Sequence, residues 1–144
     1  MKDGNHVLYG HFGDEYMTLT RGDGVYVFDK HGQRFLDAAG GVCVVNIGYG
    51  VSEILDVMSK QAEILPFAYG GTVDNEPKQI LASKLQDWAP PGMGETKTLF
   101  SSSGTEANEG AIRLAYQYHW ERGNETKSKI IGRWQSYHGN TAGA

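Results

Sequence analysis

The chain has 144 residues, 40% hydrophobic, 11% aromatic and 21% charged, which is ordinary globular composition at a length able to bury a core. A formal net charge of -4 gives no broad attraction for nucleic acid or anionic lipid. The longest apolar run, residues 42–45, cannot span a bilayer, the polar start lacks a signal-peptide core, and the single Cys43 excludes an internal disulfide, so a cytoplasmic protein is expected.

Residues 25–29 and 34–37 read as two short strands joined through Lys30-His31-Gly32, where Gly32 can take positive φ and close a hairpin. The glycine-bracketed apolar run 40–50 reads in two ways: a buried strand between turns, or a segment whose backbone approaches a ligand. Ser52 suits an N-cap, and Ile54, Leu55, Met58, Ala62 and Leu65 share one face of a helix that Pro66 stops. Residues 67–74 read as loop. Asp74 or Asn75 then caps a helix with Pro77 in its first turn and an apolar stripe of Ile80, Leu81, Leu85 and Trp88. Residues 89–94 are a connector.

The last third predicts a βαβ unit. Residues 96–101 form the first strand, Ala107, Ala111, Leu114, Ala115 and Tyr118 mark the buried face of the helix, and residues 129–134 form the second strand. A crossover of this length implies parallel strands with a right-handed connection, so both following loops open at one carboxyl edge of the sheet, where ligands of open α/β sheets bind. Whether the two strands are direct neighbours does not follow.

Two loops on that edge carry the chemistry. Ser103-Gly104-Thr105-Glu106 fits the S-x-x-E capping box, which alone would explain it as helix punctuation. Three serines followed by Gly-Thr supply more hydroxyls and backbone freedom than a cap requires, and a helix N-terminus favours a phosphate. Thr105 can offer a hydroxyl and an N–H to the same dianion. Tyr137-His138-Gly139 ends the second strand in an aromatic before a sharp turn, either a rim residue or a platform for a flat ring. Cys43 reads as a small buried hydrophobe. His6, His11, His31 and His119 have no metal-ligand spacing, and no metal is expected.

Residues 102–109, followed by Arg133-Trp134-Gln135-Ser136-Tyr137-His138-Gly139-Asn140-Thr141, closely resemble the N-terminal third of class III aminotransferases, the ω-type pyridoxal-phosphate enzymes of fold type I. The segments 24–32 and 46–50 resemble that family's opening. The resemblance implies an α/β chain: a small-domain segment with a substrate-pocket loop over 1–65, then the beginning of the large, pyridoxal-phosphate-binding domain over 66–144. It implies that Ser103, Gly104 and Thr105 hold the cofactor phosphate, that Tyr137 stacks on the pyridine ring, and that His138 and Gly139 complete the motif. Val42 and Cys43 fall where relatives often carry bulky aromatics lining the substrate pocket; a small Cys43 departs from that pattern.

The implied reaction moves an amino group between an amine or amino acid and a 2-oxo acid in a homodimer, with no nucleic acid or membrane partner. It needs a lysine at the cofactor and a carboxylate on the pyridinium nitrogen. None of the eight lysines suits the role, and in the family both residues come later than Ala144. The chain therefore reads as the front part of an aminotransferase, without a catalytic residue and inactive alone. The alternatives are a sister activity (aminomutase or racemase), a non-enzymatic truncated remnant, and, least supported, a small nucleotide- or flavin-binding module.

Overall fold

Among the described residues, three antiparallel strands in sequence order, β1 (Leu19–Asp23), β2 (Tyr26–Asp29) and β3 (Arg34–Leu36), make the one sheet. The computed structural model describes residues 6–10 and 15–144; His11 lies outside them. The chain divides into two compact units, Met1–Tyr69 and Gly70–Ala144.

In the first unit the β2–β3 hairpin is the predicted one, with Gly32 at φ 79°. Its tight turn is stitched by Asp29, whose buried Oδ1 accepts from the amides of His31 and Gln33, both at 2.8 Å. Those charge-assisted bonds offset the cost of burying the carboxylate. Val27 is the buried apolar residue of the sheet. Sequence reasoning missed β1 because Leu19-Thr20-Arg21-Gly22-Asp23 has no period-2 alternation. Its pairing is irregular between Leu19 and Arg21, and Thr20 Oγ1 donates to the Asp29 carbonyl at 3.0 Å. Arg21 lays its guanidinium over the Phe28 ring, 3.7 Å from the centroid.

The run 40–50 is not a buried strand. It begins with a single helical turn, α1 (Gly40–Cys43), and most of its residues are exposed. Helix α2 (Ser52–Ile64) follows, with Val51 rather than Ser52 at the N-cap and no side-chain capping bond.

In the second unit, helix α3 (Glu76–Asp87) starts as its sequence predicts: Asn75 caps it, Oδ1 accepting from the Lys78 amide at 2.9 Å, with Pro77 in the first turn. Helix α4 (Gly104–Glu121) is capped by Ser103.

The parallel sheet expected around α4 is a correction. Residues 96–101 and 129–133 run without helix or turn, yet their backbones pair with no neighbouring strand among the described residues. A strand exists through its ladder, and strands flanking a crossover helix need not be each other's neighbours. The predicted buried face of α4 is also uncovered: Leu114 and Tyr118 are more than half exposed, and Gly110 is the buried residue of that helix. Leu99 accounts for Gly110, since a Cβ there would stand 3.3 Å from Leu99 Cδ2. The stripes of α2 and α3 are likewise open, Trp88 at 74% exposure. The accessible surface is 12953 Å². Even two separate compact domains of half this mass would expose roughly 8,800 Å² between them. The apolar faces predicted from periodicity on α2, α3 and α4 are therefore largely uncovered here. No helix of the described residues is long and apolar enough to cross a membrane.

Candidate functional site

The N-terminus of α4 is built by a cap and a tether. Ser103 Oγ accepts from the Glu106 amide at 3.2 Å, and Glu106 reaches back to Ser102, accepting from its amide at 2.8 Å and its hydroxyl at 2.5 Å. This is a capping box displaced by one residue, since Glu106 ties Ser102 rather than the N-cap amide. The Ser102 hydroxyl, with its amide, holds the Glu106 carboxyl below its ordinary value. Ser101 donates its hydroxyl to the Ser103 carbonyl at 3.4 Å. The amides of Gly104 and Thr105 reach no protein acceptor among the described residues, as the first turn of a helix leaves them. The space beside Gly104 is open, with nothing within 4 Å of where a Cβ would stand.

The second loop lies against this turn. Thr105 donates its hydroxyl to Asn140 Oδ1 at 3.3 Å, and Asn108 Nδ2 donates to the His138 carbonyl. Glu109 accepts from the Thr141 hydroxyl and from the Gly143 amide, and these bonds, the Thr141 hydroxyl first, hold its carboxyl below the ordinary value. The close fit rests on Gly139: a Cβ there would stand 2.9 Å from Thr105 Cγ2 and 3.1 Å from its Oγ1. Ser103, Gly104, Thr105, His138 and Gly139 thus come together, although no strand ladder positions them. Tyr137 is 80% exposed, its ring free to receive a flat partner.

Sequence reasoning gave no role to Asn108, Glu109, Asn140 or Thr141, the residues that seat the loop. Their signal was available: Thr105, Asn108 and Glu109 stand at i, i+3 and i+4, on one face of the helix.

Val42 and Cys43 belong to the first unit, on α1. Cys43, read as buried, is instead exposed, because its segment forms an open left-handed turn rather than a buried strand; it lines a hollow of about 330 Å³ with Gly24, Asp37, Val45, Asn46 and Tyr49, and Val42 is 83% exposed. Among the described residues no group of three His, Cys, Asp or Glu side chains could hold a metal.

The class-III aminotransferase family model matches residues 10–144. The chain is 39% identical over 139 residues to the uncharacterized aminotransferase YhxA of Bacillus subtilis, covering 96% of this chain and 30% of that protein. It is 37% identical over 124 residues to putrescine–pyruvate aminotransferase of Pseudomonas aeruginosa, covering 85% and 27%. The crystal structure of an ω-transaminase from Pseudomonas jessenii in complex with PMP superimposes with a TM-score of 0.82 at 30% identity, over 88% of this chain and 28% of that one. A thermostable (S)-enantioselective ω-transaminase from Thermomicrobium roseum gives 0.79 at 36% identity, over 86% and 28%. The chain spans under a third of the length of these relatives, and it belongs to the class III aminotransferases.

Proposed function

We propose that this chain supplies the phosphate cradle, the ring platform and one wall of the substrate site of a pyridoxal-phosphate aminotransferase. The whole protein would move an amino group between an amine or amino acid and a 2-oxo acid. The observation that carries the reading is the pair of unsatisfied amides at Gly104 and Thr105, beside open space and under a loop seated by Thr105, Asn108 and Glu109. That arrangement fits a dianionic phosphate, because the amides and the helix dipole supply the donors while Ser102 engages the Glu106 charge.

When bound, pyridoxal phosphate supplies the electron sink for the transfer. The residues of this chain bind and orient. The Gly104 and Thr105 amides, with the Ser103 hydroxyl and the Thr105 hydroxyl once it leaves Asn140, would grip the phosphate; Tyr137 would lie flat on the ring; His138 and Gly139 would carry the loop between them. On the substrate side, Val42 and Cys43 leave more room than aromatic side chains would. The homodimeric state and cytoplasmic location belong to the same proposal; the open apolar faces of α2 and α4 and the single cysteine are consistent with them.

Thr105→Ala removes a hydroxyl donor, and Gly104→Leu fills the open space. Each lost charge-assisted bond is worth about 1.5–3 kcal/mol. Titrating the cofactor's absorbance into the whole protein and these variants should show at least tenfold weaker binding for both; unchanged affinity in both would sink the phosphate assignment.

A further inference from the structure

The four residues of α1 run left-handed. Gly40, Gly41, Val42 and Cys43 have φ of 55°, 58°, 58° and 64°, and Val42 has ψ 51°. Glycine tolerates this region; Val and Cys pay about 1–2 kcal/mol each, and a β-branched residue there is an outlier. Strain of that size persists where the surroundings over-determine it.

The surroundings converge on one carboxylate. Asp37 Oδ2 accepts from the Gly41 amide at 2.9 Å and from the Tyr49 hydroxyl at 2.7 Å, while the Asp37 carbonyl accepts from the Gly40 amide at 3.2 Å. Tyr49 is fixed in turn. Its backbone exchanges two hydrogen bonds with Gly24, at 3.1 and 2.8 Å, and its ring packs over Gly22, where any Cβ would run into it. Downstream, the Val44 and Val45 amides both donate to the Gly40 carbonyl, at 3.0 and 2.8 Å. A Cβ on Gly41 would stand 2.8 Å from Val45 Cγ2, so the turn cannot relax by exchanging glycine for another residue. The β1–β2 turn is thus tied through Tyr49 and Asp37 to the strained turn, and one of its two non-glycine side chains, Cys43, lines the hollow.

We infer that Asp37 and Tyr49 form a latch that holds Gly40–Cys43 left-handed, keeping Cys43 on the hollow and Val42 off it, and are positioning residues for the amine side of the substrate site. The last clause rests on the substrate-side reading of Val42 and Cys43 proposed above. Without the latch the turn relaxes toward right-handed backbone, and the directions of both side chains change together. No group in the latch touches the reacting atoms.

The test uses the whole protein and a local reporter. Iodoacetamide alkylation of Cys43 is followed by mass spectrometry of its own peptide, beside the KM for amine, the kcat and the cofactor affinity. Tyr49→Phe deletes one oxygen and keeps the ring on Gly22. It should change the Cys43 alkylation rate at least fivefold and raise the amine KM several-fold, with kcat and cofactor affinity within twofold. Asp37→Asn should fall between wild type and Asp37→Ala, since its amide oxygen can still accept. Should Asp37→Ala fail to fold, Tyr49→Phe decides alone. An alkylation rate within twofold of wild type in Tyr49→Phe overturns the latch; an altered rate with an unchanged amine KM overturns its role toward substrate. Neither result touches the cofactor titration of Thr105→Ala, so a failure here is distinguishable from a failure of the phosphate assignment.

Discussion

Gly139→Ala tests whether the two loops act as one site. Gly139 has φ 149°, a backbone conformation that L side chains rarely adopt, and a Cβ there would stand 2.6 Å from Ala144 Cβ and 2.9 Å from Thr105 Cγ2. Holding a non-glycine residue in such a conformation costs about 1–3 kcal/mol before any overlap is counted. The loop is secured by a few exposed hydrogen bonds from Thr105, Asn108 and Glu109, so it should lift away from α4 rather than absorb that cost. If a lifted loop forfeits the same free energy of cofactor binding, affinity falls about five- to a hundredfold, at 1.4 kcal/mol per factor of ten. The assay is absorbance titration of pyridoxal phosphate into the whole protein. Gly123→Ala is the control, because Gly123 also has positive φ, 77°, yet nothing lies within 4 Å of its Cβ position. It should lower thermal stability and spare cofactor affinity. Cofactor affinity of Gly139→Ala within twofold of wild type, or an equal loss in Gly123→Ala, would refute the reasoning.

Tyr137→Phe should bind cofactor within about threefold of wild type and Tyr137→Ala at least tenfold more weakly, since stacking depends on flat aromatic area; equal affinity of Tyr137→Ala and wild type in the same titration would reduce Tyr137 to a rim residue. The 144 residues alone should show no turnover in an amine–pyruvate coupled assay: Lys78 is paired with Asp74, Lys97 with Glu95, and among the described residues no hydrogen bond or ion pair joins a lysine to residues 103–106; sustained turnover would overturn this. The latch should also have a pH window. The Tyr49 hydroxyl donating to Asp37 holds that carboxyl below its ordinary value, and the same bond holds the Tyr49 phenol above its own. The lowered carboxyl contributes stability above its unfolded value of about 3.9, lost as pH falls through the folded value; the raised phenol contributes below about 10, lost as pH rises through its folded value. The difference in thermal stability between wild type and Tyr49→Phe should therefore be flat from about pH 5 to about pH 9 and shrink on both sides; a difference unchanged at either extreme would count against the bond.

What the sequence shows of this chain is what short range encodes. The hairpin turn at Gly32, the Asn75 cap with Pro77 behind it, and the Ser103 cap are each decided within four or five residues, and each forms as expected. The helix start at Ser103-Gly104-Thr105, proposed as the phosphate cradle, is legible for the same reason: Ser103 caps it by accepting from the Glu106 amide. Residues 96–101 read as a strand in sequence yet pair with no neighbour among the described residues, because a ladder depends on a partner that no local pattern describes. β1 escaped for the opposite cause: Thr20, Arg21 and Asp23 are polar, and the strand is held by its backbone bonds to β2 and by Arg21 over Phe28. The left-handed turn escaped because Val42 and Cys43 are poor residues for that conformation, and propensity argues against what Asp37 and Tyr49 impose.

The division between local and distant encoding bears on how such a site can be precise. The cradle at the start of α4 is set by Ser102, Ser103 and Glu106 bonding to one another, independent of any sheet. The loop over it is seated by three residues spaced along one face of that helix, through exposed side-chain hydrogen bonds. A donor array fixed on one helix keeps its spacing even when the apolar faces of α2, α3 and α4 stand open. Rigidity of the donors is what phosphate binding needs, since preorganised amides lose little freedom when the anion arrives. The proposed substrate side is arranged differently, on a turn whose Val42 and Cys43 disfavour its backbone and which the Asp37–Tyr49 bond adjoins. On the proposed reading, the grip common to many substrates would sit on the capped helix and the wall that would set substrate shape on the strained turn, where a single substitution such as Tyr49→Phe should shift geometry most.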